Sequence, residues 1–309
     1  MKSLILAIII SLTFPFGYIS FGNILNLDDF QEGHKSNKVR KYEDLAEKEE
    51  FRQSYRLEIG TQVDISDISG ILEIETIEGD TAEVYIVHSA RERQDLELEK
   101  IKVESSGKLF RIHTEYKKFD KTKIEKDGKL VVKSNSGRWN GHETRQRIYL
   151  KLPKTVNLSL SDISGLAEVG DIQGALKVND ISGSLRIGQA ANCKELNDIS
   201  GSVRVKQLVN CEEINDISGS VEIGVQEISN NGLKIHDISG SVNLKFADNV
   251  NANLTVRDVS GNVSVNLPNL TITKKYDRSN FEGRIGSGGT LVNISDISGS
   301  VRFSGQSLN

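Results

Sequence analysis

Apolar and polar residues alternate along most of this chain, and the alternation restarts at regular intervals. In Ser184-Leu185-Arg186-Ile187, Ser202-Val203-Arg204-Val205, Ser220-Val221-Glu222-Ile223 and Ser300-Val301-Arg302-Phe303 every second residue is apolar. A period of two predicts half-buried β-strands. Shorter alternating runs stand before the junctions: Leu176-Lys177-Val178, Leu233-Lys234-Ile235, Leu254-Thr255-Val256 and Val292-Asn293-Ile294. Asp-Ile-Ser-Gly recurs at the junctions, starting at Asp67, Asp162, Asp180, Asp198, Asp216, Asp237 and Asp296. Asp258-Val259-Ser260-Gly261 differs by one residue, and Asp277-Arg278-Ser279-Asn280 is a degenerate copy. From Asp162 the spacings are 18, 18, 18, 21, 21, 19 and 19 residues.

Two short strands per repeat cannot bury an apolar face alone, whereas stacked repeats can. The expected fold is all-β: a single-stranded parallel β-solenoid, right-handed, with 18–21 residues per coil. Its core is a narrow column of Val, Ile and Leu, which accounts for an aromatic content of only 6%. Within each junction the Ile is expected to point inward. The Asp side chain accepts a hydrogen bond from the backbone, and Gly supplies a positive φ. Stacking then lines up Asp162, Asp180, Asp198, Asp216, Asp237, Asp258, Asp277 and Asp296 as a structural turn ladder. Residues 161–309 hold 13 basic and 17 acidic side chains, so the net charge of −4 belongs to this half. A row of carboxylates could also hold Ca²⁺, but the glycine-rich nonapeptide of calcium-binding solenoids is missing. The turn role is therefore preferred, with no metal and no cofactor expected.

The rest of the chain is less regular. Met1-Lys2-Ser3, the uncharged run Leu4 to Phe14, and small residues at Ser20 and Gly22 give residues 1–22 the form of a secretory signal peptide. An uncleaved anchor is the alternative, since Leu4 to Phe21 carries no charge. Residues 23–53 are densely charged and read as a solvated linker or, over Tyr42 to Phe51, a short surface helix. Residues 54–160 read as an irregular β region, with strands at Tyr55–Ile59, Ile71–Glu75, Ala82–His88, Leu96–Glu104, Leu109–Thr114 and Arg147–Leu152. A charged loop, 117–143, projects from it and carries the one tryptophan, Trp139. No membrane insertion is expected after signal cleavage.

The order of these parts resembles the bacterial candidate-adhesin family of β-strand repeats, a Toastrack-like domain of unknown function. The resemblance rests on Asp67 to Ile74, on Ile148-Tyr149-Leu150-Lys151-Leu152-Pro153 before the first regular coil, on the serial Ser-Gly turns, and on Phe281 to Gly289 before the last coil. It covers roughly residues 53–305. What the resemblance implies is an exported or envelope-associated β-solenoid with no established chemistry.

Catalytic constellations are scarce. Asp-Ile-Ser-Gly is not the aspartic-protease loop, which needs two facing carboxylates sharing a proton. His34, His88, His113, His142 and His236 have no metal-ligand spacing. Gly286-Ser287-Gly288-Gly289 has no following Lys-Ser/Thr or helix to cradle a phosphate. Cys193 and Cys211 lie one coil apart, each five residues before its turn Asp, which makes them a candidate disulfide; two stacked free thiols are the alternative. The expected function is a non-catalytic exported envelope or surface protein with adhesin-like binding of a protein or glycan, and no nucleic-acid partner at this net charge. An architectural or stress-signalling envelope scaffold is the alternative, and a carbohydrate-active solenoid enzyme ranks third.

Overall fold

A computed structural model describes residues 44–116, 124–126, 129–131 and 143–305. The signal-peptide reading of 1–22, most of the 23–53 linker, Trp139 and most of the 117–143 loop lie outside the described residues. In chain order the elements are β1 (Glu47–Arg56), β2 (Gln62–Ile77), β3 (Thr81–Ala90), helix α1 (Arg93–Leu98), β4 (Glu99–Ser106), β5 (Leu109–Tyr116), β6 (Ile124–Lys126), β7 (Lys129–Val131) and β8 (Thr144–Pro153). They continue as β9 (Asn157–Val169), β10 (Ile172–Leu208), β11 (Glu213–Val225), β12 (Leu233–Phe246), β13 (Ala252–Val256), β14 (Val263–Asn266), β15 (Leu270–Lys275), β16 (Phe281–Ile285), β17 (Thr290–Ile294) and β18 (Ile297–Gly305).

The described residues are almost entirely β. Their repeats stack in parallel and in register: Ile163 pairs with Ile68 and with Ile181, Ile199 with Ile217, Ile217 with Ile238, and Ile238 with Ile297. β10 carries two successive rungs and is the longest strand, at 37 residues. The junction Ile residues are at most 1% exposed and form one column of the core. A second column runs through Ile65, Leu160, Val178, Leu196, Ile214, Ile235, Ile294 and Val256. Burying each such side chain contributes about 2 kcal/mol. Parallel in-register pairing needs both faces of the repeat to match, and the near-identical repeats supply that.

The rungs do not follow sequence order at the C-terminal end. β17 and β18 pair with β12 on one side and with β13 and β14 on the other. The last repeat thus sits between the repeats of Asp237 and Asp258. Residues 270–285 form no coil: β15 and β16 pair antiparallel, and β16 pairs antiparallel with β13. Phe246, Phe281 and Phe303 pack together near this end, with ring centroids 6.3–6.4 Å apart. These rings lie where the regular rungs give way to the antiparallel β13–β16–β15 segment.

The other end is also rebuilt. β2 is a full rung lying directly on β9. Its outer neighbour is composite: β5 pairs with residues 62–66 and β8 with residues 70–77. β3 and β1 then extend the sheet antiparallel from β8.

Three local expectations are corrected here. Residues 47–53 are part of strand β1, not linker or helix, because backbone pairing with β3 outweighs the modest helix propensity of a nearly fully exposed segment. The strand expected at Tyr55–Ile59 ends at Arg56, and Ile59 is 77% exposed beside Gly60, whose φ is 75°. The strand expected from Leu96 starts only at Glu99, because Arg93–Leu98 is helical and seats Leu96 in the interior.

Candidate functional site

The most regular surface of the molecule is the corner at each Asp-Ile-Ser-Gly. Asp67, Asp162, Asp180, Asp198, Asp216, Asp237, Asp258 and Asp296 all take the left-handed conformation, with φ between 50° and 56°. Asp tolerates this region better than most residues with a Cβ. The following Gly has φ of 138–153° in every one of these corners but that of Asp258. The strand bends at the corner and pairing resumes at once, so the junction is a bend between two rung segments, not a reversal.

Gly has a second reason to be there. A methyl group built on Gly165, Gly183, Gly201, Gly219, Gly240 or Gly299 would meet the carbonyl oxygen of the Gly one rung away at less than 3.0 Å. Those contacts trace the rung order Gly70, Gly165, Gly183, Gly201, Gly219, Gly240, Gly299, with Gly261 meeting Gly299 last. The aspartate column accordingly reads Asp67, Asp162, Asp180, Asp198, Asp216, Asp237, Asp296, Asp258.

Asp277 is not in this column. It turns the β15–β16 hairpin, where its Oδ1 accepts hydrogen bonds from the backbone N–H groups of Ser279 and Asn280, both at 2.7 Å. The degenerate copy still caps the stack, since Ser279 Oγ donates to the Gly261 carbonyl at 2.8 Å. Asp67 is a member that a count starting at Asp162 leaves out, although its motif is plain in the sequence.

Columns of other polar groups flank the aspartates. Asn179, Asn197 and Asn215 stand just before three of them, and Asn197 Nδ2 donates to Asn179 Oδ1 at 2.7 Å. In the next rung His236 lies between Asp237 Oδ2 at 2.6 Å and Glu213 Oε1 at 2.8 Å. Hydrogen bonds from His236 and Lys234 hold the Glu213 carboxyl below its ordinary range. Partial desolvation and the neighbouring Asp162 and Asp198 carboxylates push Asp180 the other way, above the usual range. The flat faces carry charge pairs across rungs: Lys177–Glu195 at 3.1 Å, Lys194–Glu212 at 2.9 Å, Arg204–Glu222 at 2.7 Å and Lys245–Glu222 at 2.6 Å.

Cys193 and Cys211 stack on adjacent rungs, both buried, with Cα atoms 4.3 Å apart and sulfur atoms paired. Among the described residues, no group of three or more His, Cys, Asp or Glu side chains is placed to hold a metal ion.

A buried polar cluster lies under the composite rung. Glu99 accepts from Thr144 Oγ1 at 2.7 Å and from Gln146 Nε2, and faces His88 Nε2 at 3.4 Å. Burial alone would raise the Glu99 carboxyl, but its contacts with His88, Thr144 and Gln146 together outweigh that and lower it. Gln146 is fully buried and its Oε1 accepts from the Ser69 N–H at 3.0 Å. β5 and β8 are separate segments, so no continuous backbone passes this corner. A side-chain amide takes over the hydrogen bond that a further rung would make. No motif in the sequence marks this cluster, because its members come from four strands.

This is an all-β repeat domain with an open sheet, organised around one repeated corner. The family model described as Toastrack DUF4097 matches residues 72–303, and the chain belongs to that family. Several solved structures are also similar to it. A candidate cell adhesion protein from Clostridium sporogenes shares 13% identity at a TM-score of 0.34, covering 84% of this chain and 100% of that one. A candidate adhesin from Bacteroides fragilis shares 9% identity at 0.31, covering 82% and 97%. A candidate adhesin from Parabacteroides merdae shares 9% at 0.30, covering 82% and 95%. Among curated proteins none matches the sequence.

Proposed function

We propose that this chain is a non-catalytic, exported surface or envelope protein with adhesin-like binding of a protein or glycan. Its scaffold in this reading is a right-handed, single-stranded β-solenoid. The observation that carries the reading is the corner itself: eight rungs repeat one Asp-x-Ser pattern in the same backbone conformation, one above the next. Such an array offers many identical weak contacts to an extended partner, and linked contacts add up to avidity without a deep pocket. A Cys193–Cys211 disulfide fits export, since such bonds persist in oxidising compartments.

The test is binding of the purified chain lacking residues 1–22 to cells and envelope fractions. Retention on them supports the reading, and failure to bind any cell, envelope fraction or arrayed glycan counts against it. The cross-rung ion pairs favour a second reading, an architectural or stress-signalling scaffold, because they satisfy the flat faces internally. Capture of a membrane regulator, with no retention on cells, would favour the scaffold.

A further inference from the structure

Along one flat face, the two outward positions of each rung from β10 to β12 carry bulky groups. β10 presents Lys177 and Asn179, then Glu195 and Asn197; β11 presents Glu213 and Asn215; β12 presents Lys234 and His236. On the N-terminal side two adjacent rungs end that run. β9 places Ser159 and Ser161 there, and β2 places Asp64 and Ser66. The next strand, β5, restores long side chains with Arg111 and His113. The result is a depression of about 400 Å³ with a floor of small hydroxyls and a wall of guanidinium and imidazole. At the usual strand spacing and rise its floor measures roughly 10 by 7 Å, the footprint of one sugar ring.

The polar groups in the depression have capacity to spare. The Arg111 Nη2 contact with Asp64 Oδ2 is 3.7 Å, beyond hydrogen-bond length, so its fork of donors is not used up there. Asp64 Oδ1 accepts from Gln62 Nε2 at 2.7 Å. His113 Nδ1 is buried without a hydrogen-bond partner. Ser159 and Ser161 donate no side-chain hydrogen bond among the described residues, whereas Ser66 Oγ is engaged with Asp67 at 2.9 Å. One planar cation, one carboxylate and adjacent hydroxyls suit a ligand that combines one anionic group with several hydroxyls. A guanidinium pairs with a carboxylate or phosphate through two parallel bonds.

We infer that this depression binds one sugar residue bearing an anionic group. Arg111 takes the carboxylate or phosphate; Asp64, Ser159 and Ser161 take ring hydroxyls. The inference rests on the binding reading above and names a ligand class for it. No bond is made or broken.

Saturation-transfer NMR on the purified chain tests it, with glucuronic acid, glucose 6-phosphate, glucose and inorganic phosphate as probes. At least one acidic sugar binds, glucose binds about tenfold more weakly, and Arg111→Gln loses about the same factor, the worth of one bidentate charged contact. Ser159→Gln, which fills the floor, also abolishes binding, while Lys245→Gln on the other face changes nothing. Which acidic sugar binds tells a uronate from a sugar phosphate. The inference falls if neither acidic sugar binds, if inorganic phosphate binds as well as both, or if Arg111→Gln and Ser159→Gln leave binding unchanged. Cell binding by the unmutated chain separates the two claims: cell binding without binding of either acidic sugar sinks this site alone, and absence of both sinks the broader reading as well.

Discussion

Gly201 lies so close to Gly183 in the neighbouring rung that any Cβ on it would collide with the Gly183 carbonyl oxygen. The same relation repeats up the stack. It gives the fourth motif position a second reason to be Gly, beside a φ of 138–153° that a residue with a Cβ does not readily adopt.

Gly201→Ala is expected to prevent folding or to cost more than about 3 kcal/mol, since both φ, at 147°, and the rung contact oppose it. Gly79→Ala is the control. Gly79 also has a positive φ, 109°, but nothing lies within 4 Å of the added methyl. Its cost is about 1 kcal/mol. Urea unfolding of the two variants checks the difference, and equal costs would remove the rung-contact explanation.

Asp180→Asn should raise the melting temperature at neutral pH. Asn keeps the left-handed backbone and removes one charge from the column. The folded-state carboxyl of Asp180 sits above its ordinary value. Its protonated form is therefore favoured by folding. That contribution is complete below the unfolded pKa and is lost as pH rises through the raised folded one. The advantage of the variant should accordingly appear as pH rises through the carboxylate range and level off above it. Melting curves across that range decide; an advantage largest in acid would contradict the repulsion.

Glu99 has the opposite sign. Its carboxyl is held below its ordinary value, so its stabilisation is present above the unfolded pKa and disappears as pH falls through the folded one. Glu99→Leu leaves His88, Thr144 and Gln146 without their acceptor and should cost about 2–3 kcal/mol at neutral pH. The loss should shrink in acid. Chemical denaturation at neutral and acidic pH measures both.

Cys193 and Cys211 should give no free thiol in the denatured, unreduced chain, and two after reduction. Replacing both by Ser opens an 18-residue loop and should cost about 3 kcal/mol. Two thiols before reduction would show that the pair is not bonded.

A great deal of the fold is written in the chain. The alternation fixes which side chains face inward, and Ile163, Ile181, Ile199 and Ile217 follow it to within 1% exposure. The spacing fixes the rung length, and it brings Cys193 beside Cys211 without reference to any other part of the molecule. What the chain could not settle is the order of rungs. Near-identical repeats pair equally well with several neighbours, so pattern alone does not decide that β18 lies between the repeats of Asp237 and Asp258. Chain connectivity and the covering of exposed ends decide that. They turn Asp277 into a hairpin residue, put Asp67 at the head of the column, and set Gln146 in the place of an absent corner. The cluster of His88, Glu99 and Gln146 was equally hidden, because it exists only where β3, β4 and β8 meet. Local pattern specifies a rung; only packing of the whole stack specifies how it begins and ends.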